Sequence, residues 1–415
     1  MTGHRPSRLW RPRDAEELLY RRVGPVSLYL GQAHDVLAGM PADSVDTIVC
    51  SPPYWQLRDY QTGRWVGGDP ACDLHPGRRP RRRPSDRDDQ RCPACRAWWD
   101  DPQTGLEDDL DHYLAVLVYT LGLARRVLKE TGTLWLNIGG RYVTSHGIAR
   151  PAAVLPAHLD NQDETQSRVL EPKQLLGIPW RAALALQREG WWLRNAIVWT
   201  KTNPSPESVT DRLSTTYELV FLLTRSPRYF FDLDPIRLPL KHPDAADGSR
   251  VFGGANKAGH GGVDSAARRR GNTYGPATGA RQGKYTPEAT EARMRAHRGN
   301  LAVTGAAHTA AHARGRNPGD TWALPTRPYR GAHSAPFPID IPLRAIAAGC
   351  PPGGHVLDPY SGAGTTGLAA LQLGCSYSGI DISPTFHDLA LIRLTPHLPH
   401  PDRNHDPDEH GGGGG

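Results

Sequence analysis

Apolar residues recur along the chain at two different periods, which predict strands and helices in alternation. Short apolar runs bounded by turn residues predict buried strands at 26–31, 45–50, 133–138, 193–200, 217–224, 355–358 and 377–381. Apolar residues at helical spacing predict helices at 106–129, near 173–188 and at 365–373. Strands that alternate with helices favour the α/β class, with a mostly parallel central sheet.

Segments poor in apolar residues interrupt this pattern and divide the chain into parts. We predict a basic N-terminal arm at 1–25, one half of the α/β domain at 26–239 with a Cys/His insertion at 72–95, a basic Gly/Ala/Arg-rich insert at 240–319, the other half at 320–395 and a mobile tail at 396–415. The composition of the insert is typical of a segment that is disordered or that becomes ordered on a partner.

The charge balance makes a polyanionic partner plausible. The net charge is +6, and basic residues cluster at 5–13, 78–83 and 268–270. Such clusters can lie along the phosphate backbone of a nucleic acid, and solvated loops are an equally good interpretation. No window approaches the roughly 20 apolar residues needed to span a bilayer. We therefore expect a soluble, cytoplasmic protein with no membrane partner.

Four residues have the spacing of a metal site. Cys72 and His75 form a Cys-x2-His pair, and Cys92 and Cys95 form a Cys-x2-Cys pair further along the chain. Two such pairs can share one tetrahedral ion, so the spacing predicts a structural zinc with no open position for catalysis. A disulfide fits poorly, because three nearby cysteines leave one unpaired. The alternative is a cluster that holds no metal.

A glycine-rich turn follows the strand at 355–358. The segment reads Asp358-Pro359-Tyr360-Ser361-Gly362-Ala363-Gly364-Thr365 and leads into a predicted helix. Glycines let the backbone approach a ligand closely, and the start of the helix offers N–H donors. Asp381 ends the next strand, where a carboxylate can accept both hydroxyls of a ribose. Together they favour a nucleoside cofactor over a plain tight turn.

A second turn, Ser51-Pro52-Pro53-Tyr54, ends the strand at 45–50. The prolines stiffen this turn, so the Ser51 hydroxyl and the Pro52 carbonyl can act as two fixed acceptors beside the flat ring of Tyr54. This set suits the exocyclic amine of a base that is flipped out of a duplex and stacked on an aromatic ring. Taken alone, the four residues would more often be an ordinary loop with a proline stop.

In both turns the chain resembles the site-specific DNA methyltransferases that act on an exocyclic amine, cytosine N4 or adenine N6. Ser51 to Tyr54 is similar to the catalytic tetrapeptide of that family, and Asp358 to Gly364 to its cofactor loop. The catalytic turn precedes the cofactor turn with the insert between them, which looks like the β-type motif order. Further similar segments are Trp135 to Gly139, Trp199 to Asn203 with Tyr217-Glu218, and Gly319 to Trp322 leading to 333–338.

The resemblance implies a Rossmann-like, S-adenosylmethionine-dependent methyltransferase fold that acts on double-stranded DNA, with a cognate restriction nuclease as a further partner. It makes 26–239 the catalytic half, 240–319 a target-recognition region and 320–395 the cofactor-binding half. The implied catalytic residues are Ser51, Pro52, Pro53 and Tyr54. The implied cofactor-binding residues are Phe337, Asp358, Tyr360, Ser361, Gly362, Gly364, Thr365 and Asp381. Gln32 departs from the family, whose members often carry an acid at that position.

The serine of the tetrapeptide bears on the target base. In the family that this chain resembles, serine is commoner among members that methylate cytosine N4, and Asp or Asn among those that methylate adenine N6. We therefore expect cytosine N4, with adenine N6 as the alternative. Further alternatives are methylation of RNA or of a small amine, and an inactive zinc-dependent DNA-binding protein.

Overall fold

The computed structural model describes residues 13–75, 91–107, 109–143, 171–240, 314–327 and 337–398. Most of the predicted arm, the arginine run at 78–83, nearly all of the basic insert and most of the tail lie outside these residues.

Eleven strands are described, nine of them in one sheet. They are β1 (Leu19–Val23), β2 (Val26–Leu30), β3 (Val45–Cys50), β4 (Arg64–Val66), β5 (Trp98–Asp100), β6 (Leu128–Ile138), β7 (Trp192–Lys201), β8 (Tyr217–Thr224), β9 (Thr321–Leu324), β10 (His355–Asp358) and β11 (Ser376–Asp381). The large sheet has the order β1-β2-β11-β10-β3-β6-β8-β7-β9, and β4 pairs with β5 in a separate ribbon.

Six α-helices accompany these strands in the described part of the chain. They are α1 (Ala33–Gly39), α2 (Leu110–Val127), α3 (Ile178–Arg188), α4 (Asp340–Gly349), α5 (Thr365–Gln372) and α6 (Pro384–Leu394). The predicted strands and helices are all present. The helix predicted from 106 starts later, because the Asp109 side chain caps it by accepting the backbone N–H of His112. The short strands β1, β4, β5 and β9 and the helices α1, α4 and α6 were not predicted.

The predicted α/β class with a mostly parallel sheet is confirmed. The pairs β2–β11, β11–β10, β10–β3, β3–β6 and β7–β9 are parallel. The pairs β1–β2, β6–β8 and β8–β7 are antiparallel. Strands β7 and β8 pair in antiparallel directions. Strand β8 lies between β6 and β7, so this pair extends the sheet beyond the parallel strands.

The pairing of β3 with β10 joins two distant parts of the chain. Asp46 of β3 accepts the backbone N–H of His355 in β10 at 2.9 Å, although the two residues are 309 positions apart. The other oxygen of the Asp46 carboxyl binds the Lys129 ammonium of β6 at 2.8 Å. Because β3, β6 and β10 run in parallel, their carboxyl ends meet at one edge of the sheet, where ligands bind in open α/β sheets.

Helices α2 and α3 cover one face of this sheet. In α2 the side chains of Tyr113, Leu117, Leu121 and Ala124 recur at helical spacing and are fully buried. In α3, Leu186 is fully buried and Leu184 is 50% exposed, so the two leucines lie on opposite sides of the same helix. None of the described helices is long and apolar enough to cross a membrane.

Residues Leu233–Gly319 form a second compact unit, of which 233–240 and 314–319 are described. It contains a short 3-10 turn at Asp234–Ile236 and an antiparallel bridge between Leu238 and Arg316. The guanidinium of Arg237 donates to the Asp234 carboxylate at 2.7 Å. This unit starts near the predicted start of the basic insert.

The two leucines of α3 provide a matched test of the core. We expect Leu186→Ala to lower the free energy of unfolding by about 2–5 kcal/mol, because it removes buried methyl groups and leaves a cavity. Leu184→Ala, two positions away, should change it by about 0.5 kcal/mol or less. Urea denaturation followed by circular dichroism measures both values, and equal losses would contradict the described orientation of the helix.

Candidate functional site

A cavity of about 440 Å³ lies at the carboxyl ends of β3, β6 and β10. Both turns that the sequence analysis singled out line it, the first after β3 and the second after β10. The cavity is therefore placed by the parallel pairing of these strands, which brings the two turns to the same edge of the sheet.

The turn at Ser51 to Tyr54 is held by contacts on both sides. The Tyr113 hydroxyl of α2 donates to the Pro53 carbonyl at 3.0 Å. A side chain at Gly105, which has φ +96, would contact the Tyr54 carbonyl oxygen at 3.1 Å. Within the described part of the chain, no donor reaches the carbonyl of the buried Pro52. This carbonyl belongs to a residue of the cavity wall.

The Tyr54 ring is fixed by packing and by its hydroxyl. A Cβ at Gly139, next to the end of β6, would lie 2.4 Å from the Tyr54 ring, so the position requires glycine. The Tyr54 hydroxyl donates to the Glu218 carboxylate at 2.5 Å. Burial, followed by the nearby Glu218 charge, raises the pKa of Tyr54 well above its usual value. Tyr54 is therefore a neutral aromatic ring held in one orientation.

Several polar side chains of the cavity were not assigned to the site from the sequence, among them Asn137, Lys201 and Glu218. The Lys201 ammonium binds Glu218 at 2.6 Å, and the Asn137 amide donates to the Leu219 carbonyl at 3.2 Å. All three residues line the cavity with Tyr54. The signal was present, since Asn137, Lys201 and Glu218 lie in segments that resemble the family, but spacing alone does not bring them together.

Asp358 ends β10 and anchors the cofactor-like turn. Its carboxylate accepts the Thr366 hydroxyl at 2.6 Å and the backbone N–H of Tyr360 at 2.9 Å. Burial raises the pKa of Asp358 to about 7, against the opposing effect of these hydrogen bonds. Thr366 also lies 3.4 Å from the Val49 carbonyl of β3, so α5 is tied to both strands.

Asp381 ends β11 on the neighbouring side of the cavity. One carboxylate oxygen accepts the backbone N–H of Gly362 at 2.9 Å, and the other accepts that of Ser383 at 2.8 Å. Burial raises the pKa of Asp381 to about 6. Each oxygen keeps a second lone pair, so the carboxylate can still accept the two hydroxyls of a ribose. The donor set therefore fits a nucleoside.

The cofactor side of the cavity also has aromatic and apolar walls. Phe386 of α6 meets the ring of Tyr60 edge-on, with centroids 6.0 Å apart, and both line the cavity with Ile382. Flat apolar walls beside a buried carboxylate suit a base joined to a ribose. Gln32 also lines the cavity.

The structure brings nearly all of the predicted site residues together. The cavity is lined by Ser51, Pro52, Pro53, Tyr54, Phe337, Asp358, Tyr360, Ser361, Gly362, Thr365 and Asp381. Gly364 is not among the residues of the cavity wall. It precedes α5 with φ +73, and a Cβ there would lie 3.0 Å from the Ala390 side chain of α6. Its contact is with a helix rather than with the cavity.

The four predicted metal ligands also meet, outside the cavity wall. One ligand atom from each of Cys72, His75, Cys92 and Cys95 lies within 4.8 Å of the others. The Cys72 and Cys92 sulfurs are 3.7 Å apart, and His75 Nε2 lies 3.1 Å from the Cys95 sulfur. The cysteines are free thiols, and this group can hold one tetrahedral metal ion.

Comparison with known proteins agrees with the geometry. The family model for DNA methylases (N6_N4_Mtase) matches residues 45–391. The type II methyltransferase M.Cfr9I of Citrobacter freundii is 31% identical over 369 residues, which cover 89% of this chain and 87% of that protein. The type II methyltransferase M.SmaI of Serratia marcescens is 28% identical over 92% of this chain and 94% of that protein.

Among solved structures, the PvuII DNA methyltransferase (cytosine-N4-specific) is similar to 89% of this chain, which matches 86% of that structure. The sequence identity is 12% and the TM-score 0.46, a likeness too distant to support a statement about this chain. The family model and the curated relatives do establish the family. This chain belongs to the N6/N4 DNA methylase family and is a DNA methyltransferase.

Proposed function

We propose that the protein transfers a methyl group from S-adenosylmethionine to the N4 amine of a cytosine that is flipped out of double-stranded DNA. The observation that carries the proposal is the single cavity shared by two turns. One offers acceptors for an amine at Ser51 and Pro52, and the other offers a ribose-binding carboxylate at Asp381. The names of the curated relatives, which are type II methyltransferases, support a DNA substrate and a partner nuclease.

The target amine would be positioned by two acceptors. The Ser51 hydroxyl oxygen and the Pro52 carbonyl accept the two N–H groups, which turns the nitrogen lone pair out of conjugation with the ring. The bound cofactor supplies a methyl group on a positively charged sulfur. The N–C bond would form as the C–S bond breaks, with S-adenosylhomocysteine as the leaving group, and one amine proton would pass to solvent. The chain contributes orientation and fixed acceptors, with no covalent bond to the protein.

The base itself would stack on Tyr54. Extruding a base costs roughly a few kcal/mol of stacking and pairing, and an aromatic partner returns part of this. Packing against Gly139 and the hydrogen bond to Glu218 hold the ring in place before the base arrives. Because the Tyr54 ring is already ordered, base binding does not include the entropic cost of fixing this side chain.

The cofactor would lie along the turn after β10. In this proposal Asp381 accepts the ribose hydroxyls, while Phe337, Asp358 and Tyr360 and the segment from Ser361 to Thr365 surround the methionine end. Gly364 would act indirectly, by letting α5 start close to α6.

Cytosine N4 is proposed over adenine N6 because of the serine in the tetrapeptide. A serine oxygen and a carbonyl can also accept the two N–H groups of adenine, so adenine N6 is the alternative. We further propose that the basic insert at 240–319 contributes to recognition of the target sequence, and that the Cys/His cluster holds a structural zinc.

The direct test of the proposal incubates purified protein and S-adenosylmethionine, which carries a deuterated methyl group, with duplex DNA of mixed sequence and, in a parallel reaction, with RNA. Enzymatic digestion to nucleosides and mass spectrometry should detect deuterated N4-methylcytosine. Deuterated N6-methyladenine would overturn the choice of base, and label in RNA alone would overturn the choice of substrate.

Two variants of Tyr54 separate its ring from its hydroxyl. We expect Tyr54→Ala to lower kcat/KM by about 5- to 150-fold, which corresponds to the roughly 1–3 kcal/mol of base stacking on an aromatic ring. Tyr54→Phe keeps the ring and its packing against Gly139, and should retain most of the activity. Steady-state kinetics measure both, with unchanged cofactor affinity as the control. Equal losses in the two variants would show that the ring is not the stacking surface.

The raised pKa of Asp381 predicts that cofactor binding depends on pH. Its ionised carboxylate accepts the ribose hydroxyls, whereas the protonated acid has lost one acceptor. The affinity for S-adenosylhomocysteine should therefore fall as the pH drops through about 6. Asp381→Asn should bind weakly with a flatter pH dependence, since the titrating group is gone. Calorimetry between pH 5 and 8 measures this, and an unchanged wild-type affinity at pH 5 would contradict the role of Asp381.

A further inference from the structure

We propose that metal bound at Cys72, His75, Cys92 and Cys95 orders one wall of the cavity and thereby raises the affinity for the nucleoside cofactor. The wall consists of two segments, 57–62 and 101–104, which we call the wall segments. The inference about affinity rests on the proposed function, whereas the ordering of the wall does not depend on it.

The Cys72 and Cys92 sulfurs have the separation of two ligands on one tetrahedral zinc ion. With Zn–S bonds of about 2.3 Å, two sulfurs on one ion are about 3.8 Å apart. The Cys72 and Cys92 sulfurs are 3.7 Å apart, far beyond the length of a disulfide bond. Backbone hydrogen bonds close both halves of the site, from His75 N–H to the Cys72 carbonyl and from Arg96 N–H to the Cys92 carbonyl. The ligands are thus brought together by two tight turns.

The cluster is joined to a small β-ribbon. The His75 ring stacks on Trp65 of β4, with centroids 5.3 Å apart and an angle of 12° between the planes. Trp65 in turn meets Trp99 of β5 edge-on at 5.2 Å. A Cβ at Gly63 would lie 2.4 Å from the Trp99 ring, so the chain just before β4 is packed closely against β5.

The ribbon continues directly into the two wall segments. Just beyond the paired strands, the Thr62 hydroxyl donates to the Asp101 carboxylate at 2.7 Å. The buried Gln103 side chain then donates to the Arg58 carbonyl at 2.8 Å and accepts the backbone N–H of Tyr60 at 2.7 Å. The two segments are therefore tied to each other along their length.

The wall segments form part of the cofactor side of the cavity. Arg58, Tyr60 and Thr62 line the cavity from one segment, and Pro102, Gln103 and Thr104 from the other. Tyr60 contacts Phe386, which lies in the first turn of α6, shortly after Asp381. A change in the wall segments therefore reaches the groups that would hold the cofactor.

The ribbon of β4 and β5 is too short to be stable by itself, so it cannot order the wall segments alone. It has three residues in each strand, and an isolated two-stranded pair is at best marginally stable in water. A metal that gathers four ligands supplies this missing stability, because metal-binding free energy is folding free energy at such a site. When the metal is bound, the wall segments are already ordered. Cofactor binding then does not include the free-energy cost of ordering them. Binding of metal and of cofactor should therefore be positively coupled, and the coupling must be reciprocal.

The test of the ordering uses the full-length protein with and without metal. Elemental analysis of the purified protein should find about one zinc per chain. Removal by a chelator should accelerate amide hydrogen exchange in 57–62 and 101–104, while β11 (Ser376–Asp381) stays protected as the internal control for the remaining fold. Protein without bound metal, or equal protection of the wall segments with and without zinc, would overturn the proposal.

The coupling is measured by titration with S-adenosylhomocysteine. Zinc-loaded protein should bind it at least about fivefold more tightly than stripped protein, and readdition of zinc should restore the affinity. By reciprocity, the same ligand should slow zinc loss to a chelator. Equal affinities with and without zinc would overturn the coupling. If no form binds the ligand, the cofactor assignment fails, and the exchange experiment still decides whether the metal orders the wall.

Trp65 allows a test that leaves all four ligands in place. Trp65→Ala removes the ring between His75 and Trp99, and the variant should still bind zinc. Amide hydrogen exchange in 57–62 should accelerate, and zinc should raise the cofactor affinity by less than in the wild type. Trp65→Phe keeps an aromatic ring and should keep most of the coupling. Full coupling in Trp65→Ala would show that the ribbon does not connect the metal to the cavity.

Discussion

The parallel pairing of β3 with β10 is the constraint on which the site depends. The two strands come from parts of the chain more than 300 positions apart, yet Asp46 binds the backbone of His355 and Thr366 approaches the Val49 carbonyl. The turns that follow a strand ending at Cys50 and a strand ending at Asp358 can share one cavity only if the strands lie side by side in the same direction. The chain between these two strands must fold without disrupting their pairing.

The cavity contains two buried carboxyl groups, Asp358 and Asp381. Burial raises the pKa values of Asp358 and Asp381 to about 7 and about 6, above the ordinary value of 3.8. Each acid therefore stabilises the fold at low pH, and this contribution is lost as the pH rises through its folded pKa. At neutral pH the protein maintains at least one ionised carboxylate at a cost to its own stability. Such a cost is expected where acceptors must be in position before the ligand arrives.

Much of the fold and of the site could be predicted from local sequence. The strand ends, the proline turn at Ser51 and the glycine turn at Gly362 are local signals, and so is the spacing of Cys72 and His75. Lys201 and Glu218 were not assigned, because β7 and β8 are antiparallel to each other. Glu218 lies at the start of its strand, whereas the sequence argument looks for functional groups at strand ends. The short helices α1, α4 and α6 were missed for a related reason, since their packing rather than a long apolar period defines them.

The link from the metal cluster to the cavity is also a tertiary feature. The contacts of Gln103 with Arg58 and Tyr60 join segments that are more than 40 positions apart, and no spacing rule anticipates them. The insertion between the wall segments is therefore more than an added loop, because both of its ends form part of the cavity. A metal bound in this insertion would act on the site through the ribbon and the wall segments rather than through contact with substrate.

The central claim is that the cavity methylates a cytosine amine in DNA at a defined sequence. The most direct measurement is to express the protein in a host that lacks its own DNA methyltransferases and to map modified bases across the genome by single-molecule sequencing. The account predicts N4-methylcytosine at one recurrent sequence, and its loss with Ser51→Ala. An unmodified genome in cells that contain the soluble, cofactor-binding protein would contradict it.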